Sequence, residues 1–443
     1  MSTASLPDYP SLLSLLHSPT YTATPQAHEY SLAHNARLRP NRSPGEFVKQ
    51  TRNGAVILRL VGQDDHATVP VYGYSASVQG ILDINKRDDI TSVEIEGTLK
   101  LEEVAEGGST NCKLCLNRSV LWIKDRIYQA PCPSSLPFNL SLPTTFSDRG
   151  NTYPLPPSHE SHLSGLPGFR AKIVYSISVI AVKPHLVPHA VKSSLLGGDW
   201  FYRTISTPFE YLPRTRPSVP LPLPLMSIRG GVLETPQWKV FPSLVHANRG
   251  EDIMVKLYLP ANRIFCIHQS IPFHVMFSSS AISLAAFMSF GPMVSKLSLK
   301  KQHTKIQLLR QTTVDVRNEL VLGTRTDIWR VDCIGEGAFR HAADGPHWTS
   351  FSGEIYISPD VKVGGFKACG FSIKDFVVLN VTPPDSSKPP FKELRLVVPV
   401  RLATDRHTTD GSGLTAYNNR YRPPSISSSS EELEASPELR YGS

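Results

Sequence analysis

The longer apolar segments of this chain alternate largely between apolar and polar residues, and that limits its folds more than any other feature. Across 90–101, Val93, Ile95, Gly97, Leu99 and Leu101 alternate with Glu94, Glu96, Thr98 and Lys100. Across 168–182, Phe169, Ala171, Ile173, Tyr175, Ile177 and Val179 alternate with Arg170, Lys172, Ser176 and Ser178. A period of two sends one row into a core and the other into water. Parallel strands covered by helices are apolar on both faces, so one-sided strands predict antiparallel sheets. Two sheets packed face to face bury many such strands at once.

The same grammar marks strands at 55–61, 77–84, 114–123 and 136–142. Further on it marks 238–245, 253–259, 265–277, 296–309, 312–321, 327–333, 349–357, 371–381 and 394–403. Many of the 38 prolines stand at the borders of these segments, where a residue without an N–H can begin or end a strand but not continue an interior ladder. Six prolines crowd into 207–227, a density that predicts an extended linker in place of a ladder or helix. The chain therefore divides into a flexible leader 1–50, a first domain 51–206, the linker 207–227, a second domain 228–403 and a disordered tail 404–443. A length of 443 residues suits two domains. Helical signals are poor, the best being 11–17, under two turns long. The segment 275–294 comes nearest to a membrane-length apolar run, but serines, Gly291 and Pro292 interrupt it, and it reads as a buried strand or loop.

The formal charge of +8 is scattered, a field that suits anionic lipid, phosphorylated tails or nucleic acid. No basic segment followed by an apolar core opens the chain, which predicts a cytoplasmic address, with peripheral contact at the plasma membrane or endosome, and no disulfide framework. Nucleic acid is disfavoured, since no aromatic stacking pair or basic recognition helix accompanies the cations. The densest cationic stretch is 296–310. Within it Lys300, Lys301, His303 and Lys305 are candidates to meet an anionic headgroup or a phosphorylated tail.

Three blocks carry a resemblance: GILDINKRDDITSVEIEGTLKLEE at 80–103, LPFNLSLP at 136–143, and LPPSHESHLSGLPGFRAKIVYSISVIAV at 155–182. Together they resemble the arrestin family in its broad form, including the fungal arrestin-like and arrestin-domain-containing proteins. On that likeness Gly80 and Gly97 take the places of strand glycines. Pro156, Pro157 and Ser158 match a proline-proline-serine before the long strand, and Tyr175 matches its tyrosine. His159 stands where the family usually has an aromatic, and SIPFHVMF at 270–277 is similar to a strand of the second domain. The resemblance implies an all-β chain of two antiparallel immunoglobulin-like β-sandwiches in tandem, covering about residues 55–402. It also implies a non-catalytic adaptor without a cofactor, bridging membrane-protein cargo to trafficking or ubiquitin-ligase machinery. Leu6, Pro7 and Tyr9, in LPDY, resemble the LPxY form of the motif by which such adaptors recruit WW-domain, HECT-type ubiquitin ligases. A Pro-fixed segment loses little entropy on docking in an aromatic groove.

Other chemistry is considered and set aside. Cys112 and Cys115 have the spacing of half a zinc site, but no second half follows, and on a regular strand their thiols would face opposite sides, so the cysteines read as inert. Asp64, Asp65 and His66, like Asp88 and Asp89, read as turn residues. Gly335-Glu336-Gly337-Ala338-Phe339 reads as a tight surface turn, since no kinase signature accompanies it. No nucleophile, histidine and acid can be nominated together, so no enzyme is expected. Two other readings remain open: a sorting-complex subunit of the same fold without a ligase partner, and a β-sandwich hydrolase or lipid-binding protein, which would need paired acids in a cleft.

Overall fold

The computed structural model describes residues 29–32, 45–64, 67–85, 90–104, 108–123, 130–182, 202–288, 291–292, 303–317, 325–383 and 389–409. Among them the fold is all-β apart from one helix. The N-terminal half carries β1 (Glu29–Leu32), β2 (Gly45–Gln50), β3 (Val56–Gln63), β4 (Val71–Tyr72), β5 (Ser77–Ile84), β6 (Ile90–Glu103) and β7 (Ser109–Ile123). It continues with β8 (Ser135–Ser141), β9 (Thr145–Asp148), β10 (Asn151–Pro154), β11 (His159–Leu163), β12 (Phe169–Val182), β13 (Tyr202–Tyr211) and β14 (Arg214–Pro217). The C-terminal half carries β15 (Ser227–Ile228), β16 (Gly231–Val232), β17 (Trp238–Val245), β18 (Ile253–Pro260), β19 (Ile264–Cys266) and β20 (Ile271–Ser278), then helix α1 (Ala281–Phe287). It ends with β21 (Thr304–Arg317), β22 (Arg325–Gly345), β23 (Trp348–Ile357), β24 (Phe366–Ala368), β25 (Phe371–Val381) and β26 (Leu394–Ala403).

One sheet runs β2-β3-β5-β8; another runs β4-β13-β12-β6-β7, with β11 beside the start of β12. Their inward rows share one apolar cluster, with Leu58 and Val78 from the first sheet and Leu99, Ile173, Tyr175 and Ile177 from the second. The arrangement is sandwich-like, and the alternation read across 168–182 has the expected phase: Phe169 to Val179 are buried in steps of two. Each fully buried Leu, Val or Ile contributes about 1.5–3 kcal/mol of transfer free energy.

The C-terminal half is one ten-stranded run, β17-β18-β20-β23-β22-β21-β25-β26-β19 with β24 beside β25. It turns back on itself at β22, whose first part pairs with β21 and whose second part pairs with β23. Buried rows from the two ends of the run, such as Val255 and Phe273 against Leu308 and Val377, then close a second cluster. This crossing corrects the reading of Gly335-Glu336-Gly337 as a surface turn. The glycines lie mid-strand, and a Cβ at Gly337 would fall 2.2 Å from Ile306 Cγ2.

Strands also reach into segments read as leader and linker. β1 and β2 lie within 1–50, and β13 and β14 carry ladders through 207–217. Proline permits this because eight prolines inside described strands (137, 154, 208, 217, 242, 260, 272 and 399) each sit where the strand has a neighbour on one side only. The missing N–H then faces no partner. Helix α1, within 275–294, is also unforeseen. Ser280 caps it, its side chain accepting from the Ser283 N–H, and Leu284 and Phe287 are its buried apolar residues.

Candidate functional site

The candidates named from sequence do not converge. Leu6, Pro7, Tyr9, Lys300 and Lys301 lie outside the described residues. His303 and Lys305 stand at the entry to β21. Lys305 is exposed opposite Asn380 of β25, and the Nδ1–H of His303 donates to the Thr382 carbonyl at 3.0 Å. Among the described residues no three His, Cys, Asp or Glu side chains form a metal-sized group, and no helix is long and apolar enough to cross a membrane.

The residues carrying the family resemblance do meet. A Cβ at Gly97 would lie 2.5 Å from the ring of Tyr175, so only a glycine lets β6 pass beneath that ring. The Tyr175 hydroxyl donates to the Pro156 carbonyl at 2.7 Å, and burial, then Tyr211 and Cys115, raise its pKa well above the ordinary phenol value. Two residues on, the Ser158 N–H donates to the Tyr211 carbonyl, and Ser158 Oγ accepts from the Tyr211 N–H at 2.9 Å. Gly80 does for Phe138 what Gly97 does for Tyr175, since its Cβ would fall 2.7 Å from that ring. These are packing devices within a core, with no reacting atom among them.

A seam joins the two halves. His159 on β11 stacks on Phe371 with centroids 6.1 Å apart and meets the edge of Phe366. Burial, then Arg310 and Arg330, lower its pKa to about 4, so the ring is neutral at pH 7. Arg330 Nη1 donates to the His162 carbonyl. Arg310 grips Asp375 with two hydrogen bonds, of 2.8 and 3.1 Å, in the buried interior. Beside β1 and β14, Arg401 Nη2 lies 2.8 Å from Glu29 Oε2, and Arg214 Nε donates to Asp405 Oδ2 at 3.0 Å. Burial raises the Glu29 pKa, with Arg401 and Thr215 acting the other way. A cleft of about 120 Å³ opens between these strands and residues 362–367.

Cysteine chemistry departs from expectation here. Cys112 forms a disulfide with Cys369, 257 residues further along, so these two cysteines are not inert. The sequence reading placed the thiols of 112 and 115 on opposite faces, but Leu114 is an extra residue in β7: Gly97 pairs with Cys115 and Thr98 with Lys113. That bulge turns both thiols inward. Cys115 stays free, and burial is the main cause pushing its thiol up to about 11.

β7 presents an open edge among the described residues. Among those residues this 15-residue strand ends its sheet, paired on one side by β6, and Leu116, Val120 and Ile123 are exposed on it. Asn117 Nδ2 ties it to the Ser141 carbonyl of β8 at 2.9 Å. Sequence reading found the strand but not its edge position, which only pairing decides. No family model matches the chain, and no curated protein matches its sequence.

Proposed function

We propose that this chain is a non-catalytic adaptor of arrestin-like architecture, with two immunoglobulin-like β-sandwiches in tandem, that binds membrane-protein tails and couples them to trafficking or ubiquitin-ligase machinery. The observation that carries this reading is the edge of β7. A long, one-sided strand with three exposed apolar side chains is a template for an added strand. A cytoplasmic tail entering as an extended peptide would take affinity from main-chain hydrogen bonds and specificity from Leu116 and Val120. The convergence of Gly97, Tyr175, Pro156 and Ser158 supports the family likeness, because the quoted motif residues serve one another physically. The ligase arm rests on Leu6, Pro7 and Tyr9.

Proximity labelling in cells, comparing wild type with Val120→Lys and with Tyr9→Ala, tests both arms. Val120→Lys should remove membrane proteins from the labelled set while leaving ligases, and Tyr9→Ala should do the reverse. A wild-type set without membrane proteins, or one that neither variant changes, would end the reading.

A further inference from the structure

Residues 219–226, VPLPLPLM, join β14 to β15 without joining a ladder. Every residue from 219 to 224 is a proline or stands directly before one. Proline fixes its own φ and drives the preceding residue to extended backbone, so the sequence favours a ribbon of polyproline II backbone here, with three residues per turn. Leu221 is partly buried against the second cluster, and Val219 and Pro224 are exposed. Pro222 and Leu225 turn inward, Leu225 against the cluster of Trp238, Tyr258 and Trp348, whereas Pro220, Leu223 and Met226 are exposed. Leu223 is 82% exposed and Met226 69%. The Trp238 indole N–H donates to the Leu223 carbonyl at 3.0 Å and pins the ribbon in place.

This ridge is where exposed apolar surface concentrates. Of seventeen exposed large apolar side chains among the described residues, five fall in 219–233. No charged residue interrupts 217–228. Exposed apolar surface gathered in one strip marks an interaction site more often than scattered residues do.

We propose that residues 219–226 are a docking ribbon for a proline-recognising protein domain, one whose aromatic-lined groove takes a polyproline II ligand. The occupant follows from the ribbon's chemistry. Its prolines favour the backbone such grooves accept, it presents alternating leucine and proline, and its ordering cost is reduced by the packing of Leu225 and the hydrogen bond from Trp238. The ribbon itself offers only apolar side chains for recognition, while Arg340 and Glu354 line the cleft beside Pro222 and Pro224. The inference stands apart from the adaptor reading, since it uses neither β7 nor residues 6–9.

The test is binding of the full-length purified chain to an immobilised panel of an SH3 domain, a WW domain, an EVH1 domain and profilin. At least one should bind wild type, and Leu223→Glu and Pro224→Ala should each weaken it by roughly tenfold or more. Ile282→Ala, equally exposed but on α1, should leave binding unchanged, and thermal unfolding of each variant reports that the fold is intact. Failure of every domain to bind, or equal binding by Leu223→Glu, overturns the proposal. A WW domain that binds through residues 6–9 is distinguished by Tyr9→Ala, which should leave ribbon binding as it is.

Discussion

His159 packs between Phe366 and Phe371 as an aromatic ring, which it can do cheaply only while neutral. Its folded pKa of about 4 lies below the ordinary 6.5, and buried His274 is lowered to about 4 as well. Between those values the unfolded chain holds more protons than the folded one. Stability is therefore complete above about pH 6.5 and declines as pH falls toward 4. At pH 5 each ring accounts for a loss of about 2 kcal/mol. Urea unfolding of wild type should show that decline, and His159→Phe, which keeps the ring and removes the proton site, should flatten it by one ring's share. An unchanged slope in the variant would mean that this imidazole is not the titrating group. The family resemblance implied an aromatic place at 159, but the ring's partners lie over 200 residues away, and no local spacing points to them.

At the scale of elements, the alternating segments were legible because a half-buried strand writes its period into the sequence. β3, β5, β6, β7, β8 and β12 fall close to where 55–61, 77–84, 90–101, 114–123, 136–142 and 168–182 put them. Proline was harder to read, since its cost depends on whether a neighbour lies on the side of its missing N–H, and that is a property of the pairing. The long β22 was cut short for a related reason: Gly335 and Gly337 look like a turn in sequence, while in the fold they let β21 and β23 close over one strand. Gly337→Ala should therefore overpack the crossing and cost about 1–3 kcal/mol. Because the new methyl meets Ile306 Cγ2 first, the double variant Gly337→Ala with Ile306→Ala should lose less than the two single costs combined. Chemical denaturation measures this, and simple additivity would show that the crossing has room to spare.

The molecule as a whole is held at a seam that no linear reading could anticipate, because its parts are contributed by residues 29, 112, 159, 214, 330, 369, 401 and 405. The first apolar cluster itself crosses it, drawing Val314, Ile328, Phe366 and Phe371 into the core of the N-terminal half. Buried ion pairs such as Glu29 with Arg401 add little net stability but are costly to break one partner at a time, so they fix geometry more than they add strength. The disulfide closes a long loop and by the chain-entropy argument contributes about 5 kcal/mol. Cys112→Ser alone should lower the melting temperature yet leave one cooperative calorimetric transition, since the apolar contacts and Arg214 with Asp405 still couple the halves. Adding Arg214→Ala leaves Asp405 without its guanidinium partner beside β14, and the heat-capacity trace should then resolve into two transitions. If the doubly weakened chain still melts as a single unit, these two links do not couple the halves, and the shared apolar cluster with the Glu29–Arg401 and Arg330–His162 contacts makes them one body.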